Sequence, residues 1–565
     1  MVGRRLKWAR RRYRSWTVTL GSANVRAGRS KYGAQNTEDS SNGGQMPKSK
    51  SQRRRHLSGD LRSGLQTPGG VNISDSEIAE LRQLLQGTIV ASTDQGYDAS
   101  RQLTNHAFSP WPLLIAYCDV PADVAACLAW AQKYDIWTVI RSGGHSTAGY
   151  SANTGLVIDM SHFRYVVVED PSAASPTAIV GAGTDFGHLN SVLNDYDLHV
   201  PGGGCPDVCV AGYMQGGGFG FTSRAFGMNC DNVSSMRLML ADGRIVIADP
   251  TTNSDLYWAV RGGTGNNFAV LLEVRYQLQH IGPKDIWGFG LQWDASDGAT
   301  AMVMMQEKFM RNSDSKLGYM SFFAVDCPDA TTSTPLLMMR GMYLGTEADA
   351  QAALAPLLAT PGVRQDVGRY GSYEDLNGYL LSWPREIPEV PDLGREDKSS
   401  AYIDRPLLLA EWQAVVERFL ETPNPWSTIV FEPYGGRISA ISPDDNAFIH
   451  RNVDMDIFVD VFWMTDEEHT AAQAYLDGFV ELLASMTNGH SYQNYPRRGT
   501  DDFRWRYWGG SFNNLLKIKQ KYDPANFFHF AQSISTPEVP DPRLDAGPDL
   551  SGPISAPIQS VSPGR

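Results

Sequence analysis

The chain has 565 residues, 42% of them apolar, and a formal net charge of −13. That length exceeds what one ordinary hydrophobic core holds and predicts two domains. Residues 1–70 hold 16 Lys and Arg against 3 Asp and Glu, so the remaining 495 residues carry −26, a balance that excludes nucleic acid as the main partner of the body.

Residues 1–72 read as a disordered basic tail, with "RRLKWARRRYR" and "KSKSQRRRH" set among Gly, Ser and Gln and no apolar periodicity. It is expected to be a solvated extension, or sequence upstream of the true start, with Met46 inside it; the alternative is a segment that binds nucleic acid or an anionic membrane. "YRSWTVTLGSANV" is too short and too polar for a twin-arginine export signal. With no run of apolar residues long enough to span a bilayer, no membrane partner is expected. The six cysteines lack the spacing of a disulfide framework or a zinc site. The expectation is a cytoplasmic protein without metal.

The spacing of "SDSEIAELRQLLQ" (74–86) predicts a helix opened by a capping residue, and "PADVAACLAWAQKYD" (121–135) a second with Pro in its first turn. "IWTVIRSGGHS" reads as a strand running into a turn, and "TGLVIDMSHF" as the next strand. "RYVVVEDPSAASPTAIVGAGTDF" has the period of a hairpin, "TDFGHLNSVLNDYD" that of a short helix, and "MRLMLADGRIVIADP" is a hairpin turning at Asp242-Gly243. From 285 to 490, strand-like "LGYMSFFAVDC", "LLMMRGMYLG" and "MDIFVDVFWM" alternate with helical "DAQAALAPLLAT" and "EEHTAAQAYLDGFVELLASM". That pattern predicts an antiparallel sheet backed by helices, within an α+β fold. "NNLLKIKQKYDPANFFHF" is a last helix with a Pro stop, and residues 536–565 form a Pro/Ser-rich tail. Fourteen Trp and 23 Tyr suit either a large aromatic-lined site or a large core.

Glycine-rich segments carry the functional signal. "RSGGHSTAGYS" follows a strand but leads into another strand, which excludes a dinucleotide fingerprint. Its backbone N–H groups beside Arg141 still suit an anion such as a pyrophosphate. "PGGGCPDVCVAGYMQGGGFG" (201–220) has eight glycines in 20 positions, a conformational cost that makes sense where backbone lies flat against a large ligand. With "WAVRGGTGNNFAVLLEVRYQL" (258–278), three separated clusters suggest one extended ligand.

These segments, with "YQNYP" and "KYDPANFFHFAQSI" near the C-terminus, match in order and spacing over about residues 75–535. Together they resemble the berberine-bridge-enzyme-like FAD-linked oxidases of the vanillyl-alcohol-oxidase, PCMH-type superfamily. The resemblance implies an FAD-binding domain at 73–284, a substrate domain at 285–490 and a segment at 491–535 that returns to the first. It implies bicovalent FAD, bonded through His145 of "RSGGHS" and Cys205 of "GGCPDV". Imidazole and thiolate are nucleophiles able to attack an electron-poor flavin. The further flavin contacts it implies are Arg141, Ser142, Gly143, Gly144, Ser146, Gly149, Gly212, Gly216, Gly217, Gly218, Gly220, Val274 and Asn494. Val208 is the implied gate for oxygen.

For the chemistry, the resemblance implies that a hydroxyl-bearing substrate gives hydride to the flavin while tyrosines of "YQNYP", Tyr492 and Tyr495, take the proton, with Tyr434 a further candidate. A tyrosine of pKa about 10 is a poor base at neutral pH, and Arg497 and Arg498 are expected to lower it. Val208 implies reoxidation by O2 to hydrogen peroxide. The expected partners are a small molecule and O2, in a monomer or homodimer. The expected substrate is a carbohydrate or a glycosylated natural product; the alternative is oxidative cyclisation or dehydrogenation of a polyketide or alkaloid. Sequence departs from the usual pattern at "AGYMQ" and at "RRGTDD" after "NYP".

Overall fold

The computed structural model describes residues 65–66, 72–310, 314–327, 333–382, 395–537 and 541–545; the two expected tails fall almost wholly outside them. Residues 61–565 form one compact unit. Helix α1 (Asp75–Leu84) starts as its sequence dictates: Ser74 accepts from the Glu77 N–H while the Glu77 carboxylate takes the Ser74 N–H at 2.7 Å.

Four short strands follow: β1 (Thr88–Ala91), β2 (Leu114–Tyr117), β3 (Thr138–Arg141) and β4 (Leu156–Asp159), in the order β1-β2-β4-β3. Strands β2 and β3 both pair with β4 in parallel; α2 (Pro121–Lys133) carries the chain from β2 to β3, and the glycine-rich residues 142–155 carry it from β3 to β4. Next comes an antiparallel five-stranded sheet of β5 (Val166–Glu169), β6 (Thr177–Gly181), β7 (Val233–Met239), β8 (Ile245–Ala248) and β9 (Val270–Gln277), ordered β8-β7-β9-β6-β5. Helices α3 (Phe186–Asn194) and α4 (Val210–Gln215) lie between β6 and β7 in the chain. One continuous apolar core, including Leu114, Ile158, Val180, Leu238 and Val274, joins both sheets.

The third sheet has seven antiparallel strands: β10 (Ile286–Asp294), β11 (Leu317–Asp326), β12 (Thr334–Leu344), β13 (Arg364–Tyr370), β14 (Glu396–Ile403), β15 (Thr428–Pro433) and β16 (Met455–Phe462). Their order is β13-β10-β12-β11-β15-β16-β14. Its helices are α5 (Glu347–Leu358), α6 (Tyr373–Ser382), α7 (Leu409–Phe419) and α8 (Asp466–Leu483).

Period-two alternation divides this sheet's faces. Met455, Ile457, Val459 and Val461 pack under α7 and α8 in a second core with Trp412 and Phe479. The intervening Asp456, Phe458, Asp460 and Phe462 therefore point the other way.

The C-terminal residues run back to the first half of the chain. Gln493 Nε2 and Trp508 Nε1 each donate to the Gly262 carbonyl at 3.0 Å, and Lys519 Nζ, on α9 (Phe512–Tyr522), donates to the Asn267 carbonyl at 2.6 Å.

Candidate active site

A cavity of about 750 Å³ opens between the glycine-rich loops and the free face of the seven-stranded sheet. All three glycine clusters reach it: Ser142, Gly143, Gly144, His145 and Ser146 from the first, Gly203, Gly204, Cys205, Val208 and Gly212 from the second, Thr264, Gly265 and Asn266 from the third. The first loop leaves β3 and turns through Gly144, at φ +75°. Side-chain clasps fix it. Asn105 Nδ2 donates to the Thr147 carbonyl at 2.7 Å, Thr147 Oγ1 to the Pro496 carbonyl at 3.1 Å, and Asn266 brackets the Ile140 peptide at 2.7 and 3.1 Å.

His145 and Cys205, the expected tethers, front the same cavity. His145 Nε2 lies 3.1 Å from Asp207, and that hydrogen bond holds the Asp207 carboxyl below its usual range. Cys205 is exposed because the cavity is wide enough for water to reach it, although protein surrounds it. That enclosure pushes its thiol up; Asp207 adds to the effect and Lys398 opposes it. Cys209, four residues on, is buried, points its Sγ at the Gly183 carbonyl at 3.4 Å, and is raised to about 12, chiefly by burial. All six cysteines are free.

Gly212 provides a test of whether a flat ligand fits. A Cβ added there meets no protein atom within 4 Å, yet the residue lines the cavity, so a side chain would project into the space. A bare backbone wall facing an imidazole and a thiol fits a flavin ring.

Tyr492 and Tyr495 also line the cavity, their rings edge-on at 4.9 Å. The Tyr492 hydroxyl accepts from the Gly218 N–H at 2.7 Å and from Asn494 Nδ2 at 3.0 Å. Tyr495 Oη donates to Glu432 Oε1 at 2.8 Å. Burial drives both phenols well above their ordinary range.

The expected arginine assistance is corrected here. Arg497 is engaged by Asp397 and Asp477 at 3.2 and 2.7 Å, and Arg498 donates to the Ala148 carbonyl at 2.6 Å while stacking over Phe108. Neither one meets a tyrosine hydroxyl of the motif. The acceptor beside Tyr495 is instead Glu432, buried and pushed up to about 7 by burial, against the pull of Tyr495 and Lys398. Lys398 pairs with Asp460 at 3.0 Å and sits 4.9 Å from the Tyr495 ring centroid.

Glu432, Lys398 and Asp460 were not singled out from sequence. The available signal was acid set into otherwise apolar strands, "TIVFEP" and "MDIFVDVF".

Other expected site residues lie away from the cavity. Tyr434 is fully buried behind Phe219, on which it stacks at 5.6 Å, with its hydroxyl 3.1 Å from that of Tyr402. Arg141 is buried and pairs with Asp159, its register partner on β4, instead of facing an anion. Val274 is inside the core. Gly149, Gly216, Gly217, Gly218 and Gly220 serve close packing of protein on protein. An added Cβ would strike Phe108, Asn494, Phe448, Tyr213 and the Gly202 carbonyl, respectively.

No described tryptophan lines the cavity; Trp293, Trp412 and Trp508 are core residues. Its sheet wall combines Met320, Phe322, Met338, Val430, Phe458 and Phe462 with the polar Arg340, Glu396, Lys398, Thr428, Glu432 and Asp460. Among the described residues no group of side chains suits a metal ion, and no helix is long and apolar enough to cross a membrane.

Residues 112–249 match a family described as an FAD binding domain, and residues 491–535 one described as berberine and berberine like. An FAD-linked oxidoreductase of Aspergillus niger, pynB, is 36% identical over 513 residues, which cover 80% of this chain and 90% of that protein. The chitooligosaccharide oxidase of Gibberella zeae is 28% identical over 458 residues, 75% of this chain and 87% of that one. In fold, the chain is similar to the xylooligosaccharide oxidase from Myceliophthora thermophila, with a TM-score of 0.71 at 21% identity, over 82% of this chain and 100% of that one.

Proposed function

Since the chain belongs to the berberine-bridge-enzyme-like family of FAD-linked oxidoreductases, we propose that it oxidises a hydroxyl-bearing carbon of a small molecule, with FAD bonded through both His145 and Cys205. The reading rests on one observation: His145, Cys205 and the Tyr495–Glu432 pair front a single cavity. When bound, FAD supplies the two-electron acceptor for the substrate hydride, and O2 takes the electrons on to hydrogen peroxide.

The chain's own residues manage the proton. Tyr495 takes it from the substrate hydroxyl as its own passes to Glu432 at 2.8 Å. Glu432, raised to about 7, is ionised in enough molecules at neutral pH to accept it. Tyr492 accepts two N–H groups, which leaves its O–H free to donate to substrate. Val208, on the cavity wall three residues from Cys205, is the gate for O2. In this reading residues 73–284 bind FAD, 285–490 bind substrate, and 491–535 bring the tyrosines to the ring.

Two substrate classes follow. Similarity to an oligosaccharide oxidase supports a carbohydrate or glycosylated natural product. The methionine and phenylalanine part of the wall, without a described tryptophan for sugar stacking, supports the second class, an apolar polyketide or alkaloid, while its charged part, Arg340, Glu396, Lys398, Glu432 and Asp460, suits the hydroxyls of the first.

Acid precipitation tests the tethers: the pellet should stay yellow and its flavin peptide should contain both His145 and Cys205. Flavin in the supernatant would overturn that assignment. A peroxide-coupled panel of oligosaccharides and apolar alcohols decides between substrates. Turnover of sugars alone would reject the apolar reading.

A further inference from the structure

Strands β15, β16 and β14 lie side by side, and Glu432, Asp456 and Tyr402 stand directly opposite one another across them. Residues in that relation project from the same face of a sheet. Asp456 is fully buried, behind the residues that line the cavity. Neither of its carboxylate oxygens has a hydrogen-bond partner, and Glu432 Oε2 has none either.

Two buried carboxylates on neighbouring strands, with one hydrogen bond between them among the described residues, that from Tyr495 to Glu432, cannot readily both ionise. Of the cations on this face, Lys398 of β14 is already paired with Asp460 at 3.0 Å and Arg340 of β12 with Asp366 at 2.8 Å. The remaining groups turned toward Asp456 are phenols: Tyr402 on β14, Tyr434 beyond β15, and Tyr495 of the C-terminal segment. None of them is a cation.

We propose that Asp456 is a positioning residue for the base: it keeps its proton in the interior, so that Glu432 faces a neutral acid and the two carboxyls carry at most one negative charge between them. The proposal rests on reading Glu432 as the final proton acceptor. In the proton step the substrate O–H breaks as a Tyr495 O–H forms; the former Tyr495 O–H breaks as a Glu432 O–H forms. No electrons accompany that proton, and the Asp456 O–H stays intact. Were Asp456 ionised, its charge would hold the proton on Glu432 and the acceptor would be lost. Burial and, after it, the nearby Glu432 charge favour the neutral form of Asp456, against a smaller pull from Lys398.

The test uses the full-length, FAD-loaded protein and two variants, Asp456→Asn and Glu432→Gln. Its first readout is the infrared C=O stretch of protonated carboxyl groups, with isotope-labelled aspartate separating Asp from Glu. At about pH 8, well above the ordinary carboxyl pKa of about 4, the wild type should show an aspartic acid band that Asp456→Asn removes. Glu432→Gln should move the titration of that band about one pH unit lower, because the like charge is gone.

The second readout is Tm against pH. A carboxyl with a raised folded pKa contributes stability that is present at low pH and lost as pH rises through that pKa. Wild-type Tm should therefore fall more steeply on the alkaline side than that of Asp456→Asn. An unchanged band and Tm slope in Asp456→Asn, or an unmoved titration in Glu432→Gln, would overturn the proposal. If Asp456→Asn does not fold, the Glu432→Gln titration decides alone. Flavin reduction by Glu432→Gln judges the base separately, so the two readings fail independently.

Discussion

Tyr495→Phe removes one oxygen, and the geometry states what goes with it. Tyr495 Oη is the donor to Glu432 Oε1 at 2.8 Å, and Glu432 Oε2 already lacks a partner. The variant therefore leaves a buried carboxylate with neither oxygen satisfied, a penalty of about 1–3 kcal/mol on its charged form. At about 1.4 kcal/mol per pKa unit, that lifts the Glu432 pKa from its value near 7 by about one to two units. The substrate also loses the group that relays its proton, which costs about 10²–10⁴-fold in rate. Anaerobic stopped-flow reduction of the flavin across a pH series measures both effects. The rate should drop by that factor, and the acid-side fall should move to higher pH. Glu432→Gln should lower the rate comparably and abolish the acid limb, since no proton then blocks the acceptor. If both variants reduce flavin within about threefold of wild type, with the acid limb unmoved, the tyrosine–glutamate pair is not the base.

His145→Ala should keep flavin bonded through Cys205 with lower activity, and only the double change His145→Ala with Cys205→Ala should release it on acid precipitation. Val208→Leu should slow reoxidation by O2 while anaerobic reduction stays near wild type, read in double-mixing stopped flow. Gly212→Leu should give a folded, colourless protein, because its side chain meets no protein within 4 Å and enters the cavity. Gly220→Ala, whose Cβ would sit 1.9 Å from the Gly202 carbonyl, should instead lose about 1–3 kcal/mol or more and show it as a lowered Tm.

Local signals were legible. The Ser74 cap, the Pro121 helix start and the Asp242-Gly243 hairpin each depend on neighbours within a few residues, and each forms where the sequence predicts it. Glycine density also marked the two loops that carry His145 and Cys205, and both loops reach the cavity. Glycine density measured something real but assigned it to the wrong partner. Gly216 and Gly217 are bare because Asn494 and Phe448 crowd them, contacts that span more than 200 positions in the chain, while Gly218 and Gly220 are crowded from nearby by Tyr213 and the Gly202 carbonyl. Arg497 and Arg498 misled through proximity in sequence, which does not set direction: one turns to Asp397 and Asp477, the other to Ala148. Tryptophan abundance pointed equally to a core and to a site, and the core received Trp293, Trp412 and Trp508.

Glu432 escaped notice because its meaning is created by strand pairing. On its own strand it is one acid in "TIVFEP", next to a proline. Only the register beside Met455–Phe462 sets it against Asp456, and only the return of the C-terminal segment brings Tyr495 to it. The division of labour has a physical basis. A covalent tether tolerates a loop, because the bond itself fixes distance once formed. A proton acceptor must hold its hydrogen-bond distance unaided, and its site needs a rigid support. Strands β14, β15 and β16 provide one, since their opposite face is packed by Trp412, Phe419 and Phe479 of α7 and α8. Acid at the alternate positions of those strands is costly to bury, and the sheet bears that cost on the face where the proposed proton transfer to Glu432 would take place.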